Sequence, residues 1–237
     1  MMIDPTVPTS DSTTDHPYRT APAPRTFDPD SSRVPYDGQA RMRLTISSGL
    51  AHARIVIDPA ARDLLAIECG DGPRPRIRLA GGDLALTWQR RSFGDWLREV
   101  FTPGLCDTAI VLHPAVEWTV ALRGGLCRAE LDLTAGTVAR IDIAGGCSEV
   151  LLDLPPPAAV VPIRISGGAS HLGIRRPAET GVGLGVAGGI AMLRLDDRSL
   201  DAIGGAAQLD TGDVTRGVPH YELTIAGGAS DLSIERR

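Results

Sequence analysis

From about Arg41 onward the chain is written in short runs that alternate apolar and polar residues, such as Met42-Arg43-Leu44-Thr45-Ile46, Ala129-Glu130-Leu131-Asp132-Leu133 and Tyr221-Glu222-Leu223-Thr224-Ile225. An apolar side chain at every second position marks a half-buried strand. Between the runs a Gly-Gly pair returns at 81, 124, 145, 167, 188, 204 and 227, so that three consecutive intervals are 21, 22 and 21 residues and the first, 43, is about double. The flanks repeat too, as in IDIAGGCSEVLLDL, IRISGGASHLGIRR and LTIAGGASDLSIER.

A fixed period of this length marks a repeat architecture. About 21–22 residues are too few for a four-strand propeller blade but suit one three-sided coil of a β-solenoid. The expected fold is therefore all-β, a right-handed parallel β-solenoid of about eight or nine coils, with the hand taken from the preference of parallel crossovers. Gly81, Gly82, Gly124, Gly125, Gly145, Gly146, Gly167, Gly168, Gly188, Gly189, Gly227 and Gly228 are its expected corners, where positive φ and close stacking would exclude a Cβ. Pro155-Pro156-Pro157 would supply a rigid bend at another corner. The competing reading, an antiparallel sandwich with Gly-Gly hairpins, would place turns every 8 to 12 residues.

Two stretches break this texture. Residues 1–37 are Pro-, Ser- and Thr-rich, with seven prolines before Tyr36 and almost no aliphatic periodicity, and they are expected to form a disordered tail. That leaves 38–237 as one domain. In 88–104, Phe93, Trp96, Leu97, Val100 and Phe101 fall at i, i+3, i+4, i+7 and i+8, which predicts a short amphipathic helical insertion over about 91–102. Ser92 would cap its start, and Pro103-Gly104 would close its end. With Trp88, these residues form the candidate interaction surface; packing as a cap on the solenoid is the plainer alternative. Arg90, Arg91 and Arg98 are offset by Asp95 and Glu99, so membrane-surface contact is the lesser reading.

The core must be aliphatic, because 43% of the 237 residues are hydrophobic and only 4% aromatic. A net charge of −5, with no lysine at all, disfavours nucleic acid as a partner held by bulk electrostatics. No run of about 18 apolar residues could span a bilayer, the opening residues lack a secretory pattern, and the four cysteines form no CxxC. A cytoplasmic protein with reduced thiols is expected.

Candidate chemistry is sparse. His16, His52, His113, His171 and His220 share no ligand spacing, and His113 and His220 each adjoin a proline, as loop residues do. Asp132 and Asp153 are one period apart and would stack on one face; a solvated ladder is the plain reading, a cation-holding ladder the functional one. Cys106 and Cys127 are also one period apart and would stack as small hydrophobes, with Cys69 and Cys147 as further thiols. Gly181–Gly189 is glycine-rich, but neither a helical pattern nor a P-loop lysine follows it. No catalytic residue, cofactor-binding residue or metal ligand is expected.

Glu117-Trp118-Thr119-Val120 leading into Arg123-Gly124-Gly125, LDLP at 152–155, GGAS at 167–170 followed by Arg176-Pro177, and Tyr221-Glu222-Leu223-Thr224-Ile225 with GGAS at 227–230 resemble a known pattern. It is that of the bacterial putative-adhesin or toast-rack domains, β-solenoids found also at the C-terminal ends of Lia-type envelope-stress proteins. The resemblance covers about 41–237 and implies a non-enzymatic scaffold; it carries no catalytic residue.

The expected function is thus a protein-interaction or self-assembly module, with an unidentified protein partner or a second copy. The alternatives are a regulator in an envelope-stress or signalling pathway, and a carbohydrate-binding or carbohydrate-active solenoid. Because the last repeat runs to the C-terminus, an end guarded only by Glu235-Arg236-Arg237 is the expected self-association edge.

Overall fold

The computed structural model describes residues 25–26, 32–70, 74–88 and 108–237, and every regular element among them is a strand. The strands form two ten-stranded sheets, here called A and B, whose inward residues make one core. Each turn of the stack lays one strand in sheet A, rounds a corner and lays the next in sheet B. Five turns are β3 (Arg41–Ile46) with β4 (Leu50–Ile57), β9 (Glu117–Leu122) with β10 (Leu126–Asp132), β11 (Thr137–Ile143) with β12 (Cys147–Asp153), β13 (Val161–Ile165) with β14 (Ala169–Arg176), and β15 (Val182–Val186) with β16 (Ile190–Leu195). The C-terminal turn is β19 (Tyr221–Ile225) with β20 (Ala229–Arg236), and another joins β7 (Asp83–Thr87) to β8 (Thr108–Leu112).

Within this stack all neighbours are parallel, and the seven turns have two sides rather than the three expected. Two strands of five to eight residues plus two short connections use up the 21-residue period, so no third face fits. At both ends antiparallel strands cover the stack. β5 (Asp63–Cys69) pairs with β8, and β6 (Arg76–Ala80) with β7; at the other end β17 (Arg198–Ile203) pairs with β16 and β18 (Ala207–Asp210) with β15.

The stacking order departs from the chain order twice. Sheet A runs β7-β3-β9-β11-β13-β19-β15, so the first turn lies between the second and third, and the last turn lies between β13/β14 and β15/β16. The C-terminal strand is therefore not an end. Both edges of β20 are paired, to β14 and to β16, which removes Glu235–Arg237 as an unguarded edge.

The tail boundary at residue 37 also moves. β2 (Arg33–Pro35) pairs antiparallel with β5 and buries Val34 completely, and β1 (Arg25–Thr26) pairs with β6. Val34 is one apolar residue in a proline-rich context, too little to register as periodicity. The helix expected at 91–102 lies outside the described residues.

The glycines divide by geometry. At 124–125, 145–146, 167–168, 188–189 and 227–228 they are corners from sheet A to sheet B. Close approach, rather than positive φ, demands glycine there: a Cβ on Gly145 would lie 2.6 Å from the backbone N of Gly125, and one on Gly167 2.6 Å from that of Gly146. Gly189, at φ +85°, is the exception in φ. Gly81 and Gly82 are not corners of the stack but the turn of the β6–β7 hairpin, with φ +54° and +93° and open space where a Cβ would sit.

Sheet B repeats a second device. His52, Arg128, Glu149, His171, Asp231 and Met192 occupy the third position of β4, β10, β12, β14, β20 and β16, all with φ between 51° and 57°. Each is an extra residue in its strand, so two consecutive side chains point outward before alternation resumes. Because all six strands bulge at the same register, the ladder closes around them, Cys127 facing Ser148 and Ala129 facing Val150. The left-handed conformation costs a non-glycine residue about 1–2 kcal/mol.

Candidate functional site

Of the proposed interaction surface, Trp88 is described, half-buried against the core at the end of β7. Phe93, Trp96, Leu97, Val100 and Phe101 lie outside the described residues, as do His16 and Cys106. In the sequence these aromatics fall between β7 and β8.

The carboxylate ladder exists but is not free. Asp132 and Asp153 are register partners on β10 and β12. Asp132 accepts hydrogen bonds from the backbone N and the hydroxyl of Thr134, the latter at 2.7 Å. Asp153, 6% exposed, is gripped by Arg175 of β14 through two bonds of 2.6 and 2.5 Å, which hold the guanidinium above its ordinary pKa. The next rung of the ladder is thus an arginine, and the second carboxylate is neutralised where a cation would have to sit. Among the described residues no group of three His, Cys, Asp or Glu side chains is placed to hold a metal ion.

The histidines are held by structure. The His113 ring stacks on Tyr36 at 3.8 Å, its Nδ1 accepts from the Ala115 backbone, and its carbonyl accepts the indole N–H of Trp118. His220 is buried at the entry to β19, with Nδ1 against the Val218 carbonyl at 2.7 Å and Nε2 against Glu222 at 2.8 Å. The bond to that carbonyl, with the bond and charge of Glu222, raises its pKa against the opposing effect of burial. His171 is exposed, 3.6 Å from Asp231.

His52 and His171 line an open groove of about 990 Å³ on the outer face of sheet B, where Arg54 meets Glu130 and Arg128 meets Glu149. Both of its arginines are answered by a carboxylate. Cys127 faces Ala51 and Ser148 across the ladder, because β4 stands between β10 and β8. Burial pushes the Cys147 thiol up to about 11 and raises that of Cys69, which disfavours the nucleophilic thiolate at both.

Two features escaped the sequence reading. One is Arg176, fully buried at the end of β14 and paired with Asp196 at 2.6 Å. The other is the outer face of sheet A between β6 and β13. Arginines at 41, 43, 76, 78, 123, 140 and 164 stand there against only Asp83, Glu117 and Asp142, in a chain whose net charge is −5. Arg41, Arg43 and Arg140 each lean on one of those carboxylates. Arg76, Arg78, Arg123 and Arg164 have no ion pair among the described residues. Arg43, Arg123, Arg140 and Arg164, from four consecutive strands, surround a depression of about 360 Å³ containing the single carboxylate of Asp142. The Arg-x-Arg runs of β3 and β6 were visible in the sequence; that the stack collects them on one face was not.

No family model matches the chain, and no curated protein is significantly similar to it. Among solved structures, a protein of Clostridium sporogenes ATCC 15579 described as a putative cell adhesion protein is similar over 91% of this chain and 100% of its own, with a TM-score of 0.58 at 13% identity. At that identity the likeness is one of fold. It extends across both sheets of an all-β, solenoid-like architecture, and among the described residues no helix is long and apolar enough to cross a membrane.

Proposed function

We propose that the protein is a non-catalytic binding scaffold that presents the outer face of sheet A to an anionic glycan. The observation that carries this reading is the segregation of arginine onto that face, with four guanidiniums left without a carboxylate among the described residues while the chain as a whole is acidic. Neighbouring strands repeat every 4.8 Å or so, a pitch on the scale of one sugar ring, so stacked arginines can meet successive acidic groups of an extended polymer. The flat, rigid sheet pre-organises them.

The non-enzymatic part of the reading is supported by the pairing of Asp153 with Arg175, which occupies one of the two carboxylates of the ladder that a carbohydrate-active solenoid would use. The name given to the Clostridium neighbour and the motif likeness to toast-rack domains point the same way. A cytoplasmic location accords with Cys69, Cys127 and Cys147 being free thiols. A regulatory role of the envelope-stress type would need a membrane-bound partner and stands second.

The test is retention on immobilised polygalacturonate against a neutral galactan. Salt-sensitive retention on the acidic polymer alone, lost in Arg123→Ala/Arg164→Ala, is expected. Equal retention of that variant, equal binding to the neutral polymer, or tighter binding to duplex DNA would overturn the proposal.

A further inference from the structure

The last turn of the chain is inserted between two turns that precede it. β13/β14 and β15/β16 are consecutive in sequence and joined only by Pro177–Gly181, yet they stand two ladder steps apart, with β19/β20 filling the gap. The glycine corners record the same order: a Cβ on Gly227 would meet the backbone of Gly168, and one on Gly188 would meet that of Gly228. In N-to-C synthesis residues 182–195 precede residues 221–237, the turn that separates them from β14 in the folded protein.

A single connection joins the inserted turn to the strands that precede it in the chain. The connection from β18 to β19, residues 211–220, is largely exposed and contains Gly212 and Gly217 at positive φ. The turn's other contacts are non-covalent. Tyr221 donates its hydroxyl to the Pro155 carbonyl at 2.6 Å, Arg236 meets Asp196 and Asp213, and the Arg237 backbone N donates to the Arg176 carbonyl. Apart from the Arg236–Asp213 pair, whose carboxylate belongs to the connection itself, none of these contacts depends on which chain supplies residues 221–237.

We propose that the C-terminal turn is exchangeable, and that the slot between β14 and β16 of one copy accepts residues 221–237 of a second copy of this chain. The same strand ladders and corner contacts form in the closed and the exchanged states. They differ in the path of residues 211–220 and in the dependence of the exchanged state on concentration. Exchange uses neither the arginines of sheet A nor any glycan, so this inference and the proposed function can fail separately.

Ser170 and Ser230 are register partners, with their hydroxyl oxygens 3.3 Å apart, and Ser148 is the partner of Ser170 on its other side. Full-length Ser170→Cys and Ser230→Cys chains, one of them tagged, would be refolded together and oxidised, and the crosslinked peptides mapped by mass spectrometry. A 170–230 link between chains is expected, its share rising with the chain concentration at which folding is allowed. The Ser148→Cys and Ser170→Cys pair, whose turns adjoin in the chain, should give no interchain link.

The doubly substituted Ser170→Cys/Ser230→Cys chain should form the link within itself when refolded dilute; failure there would contradict the register on which the inference rests. Absence of the interchain 170–230 link at the highest soluble concentration would overturn it. So would an equal yield from the 148–170 pair, which would signify unspecific association.

Discussion

Arg176 and Asp196 meet at 2.6 Å across the inserted strand, joining the end of β14 to the turn after β16, with none of the Arg176 side chain exposed and only 10% of that of Asp196. Arg236, at the end of β20 between them, reaches the same carboxylate at 3.4 Å and Asp213 at 2.8 Å. Burial lowers the pKa of the Arg176 guanidinium, but an arginine stays charged in practice, so its charge must be answered locally. The network therefore fixes three strands that are not consecutive in the chain.

Removing one member of such a pair leaves a buried charge unanswered, at a cost of about 3–5 kcal/mol. Asp196→Ala is expected to lower the urea-unfolding free energy by that order. Asp213→Ala, at the exposed margin, should cost no more than about 1 kcal/mol. Equal effects of the two substitutions would show that the network does not carry the load assigned to it.

The two kinds of glycine should separate in a stability series. Gly145→Ala would drive a methyl against the Gly125 backbone, which cannot move without disturbing the neighbouring turns, and should cost at least the 1–3 kcal/mol or so of overpacking. Gly204→Ala meets nothing within 4 Å and has no positive φ to lose, so its unfolding midpoint should stay close to that of the parent. Parity between them would remove close approach as the reason for the corner glycines.

These glycines also show how far the sequence could be read. Alternation identified the strands, and the recurrence of Gly-Gly identified a stack of similar turns, because close backbone approach leaves no alternative residue at 145 or 167. At Gly81–Gly82 the same dipeptide answers a different need, positive φ in a hairpin, and the letters cannot distinguish the two. Equivalent corners also fit one another in any order, so nothing local shows that the Gly227–Gly228 corner stands between those at 167–168 and 188–189 rather than beyond the latter. The arginine face was hidden for the same reason. Arg43, Arg123, Arg140 and Arg164 become neighbours only once β3 is known to lie against β9.

His220 makes stability depend on pH. Its pKa is raised in the folded protein, so protonation favours the native state; the contribution is complete below the unfolded value near 6.5 and disappears as pH rises through the folded value. The thermal midpoint should accordingly fall between mildly acidic and mildly alkaline buffer. Glu222→Gln, which removes the carboxylate facing Nε2, should flatten that fall. A slope unchanged by the substitution would show that other groups set it.

β20 is an interior strand of its sheet, paired on both edges. Amide hydrogen exchange followed along the chain reads that position strand by strand. Amides in Ala229–Arg236 bonded to β14 or β16 should be protected as strongly as those of β12 and β14, while the edge strand Arg198–Ile203 exchanges faster. Rapid exchange of 229–236, with slow exchange at 198–203, would instead put the C-terminal turn at an end of the stack.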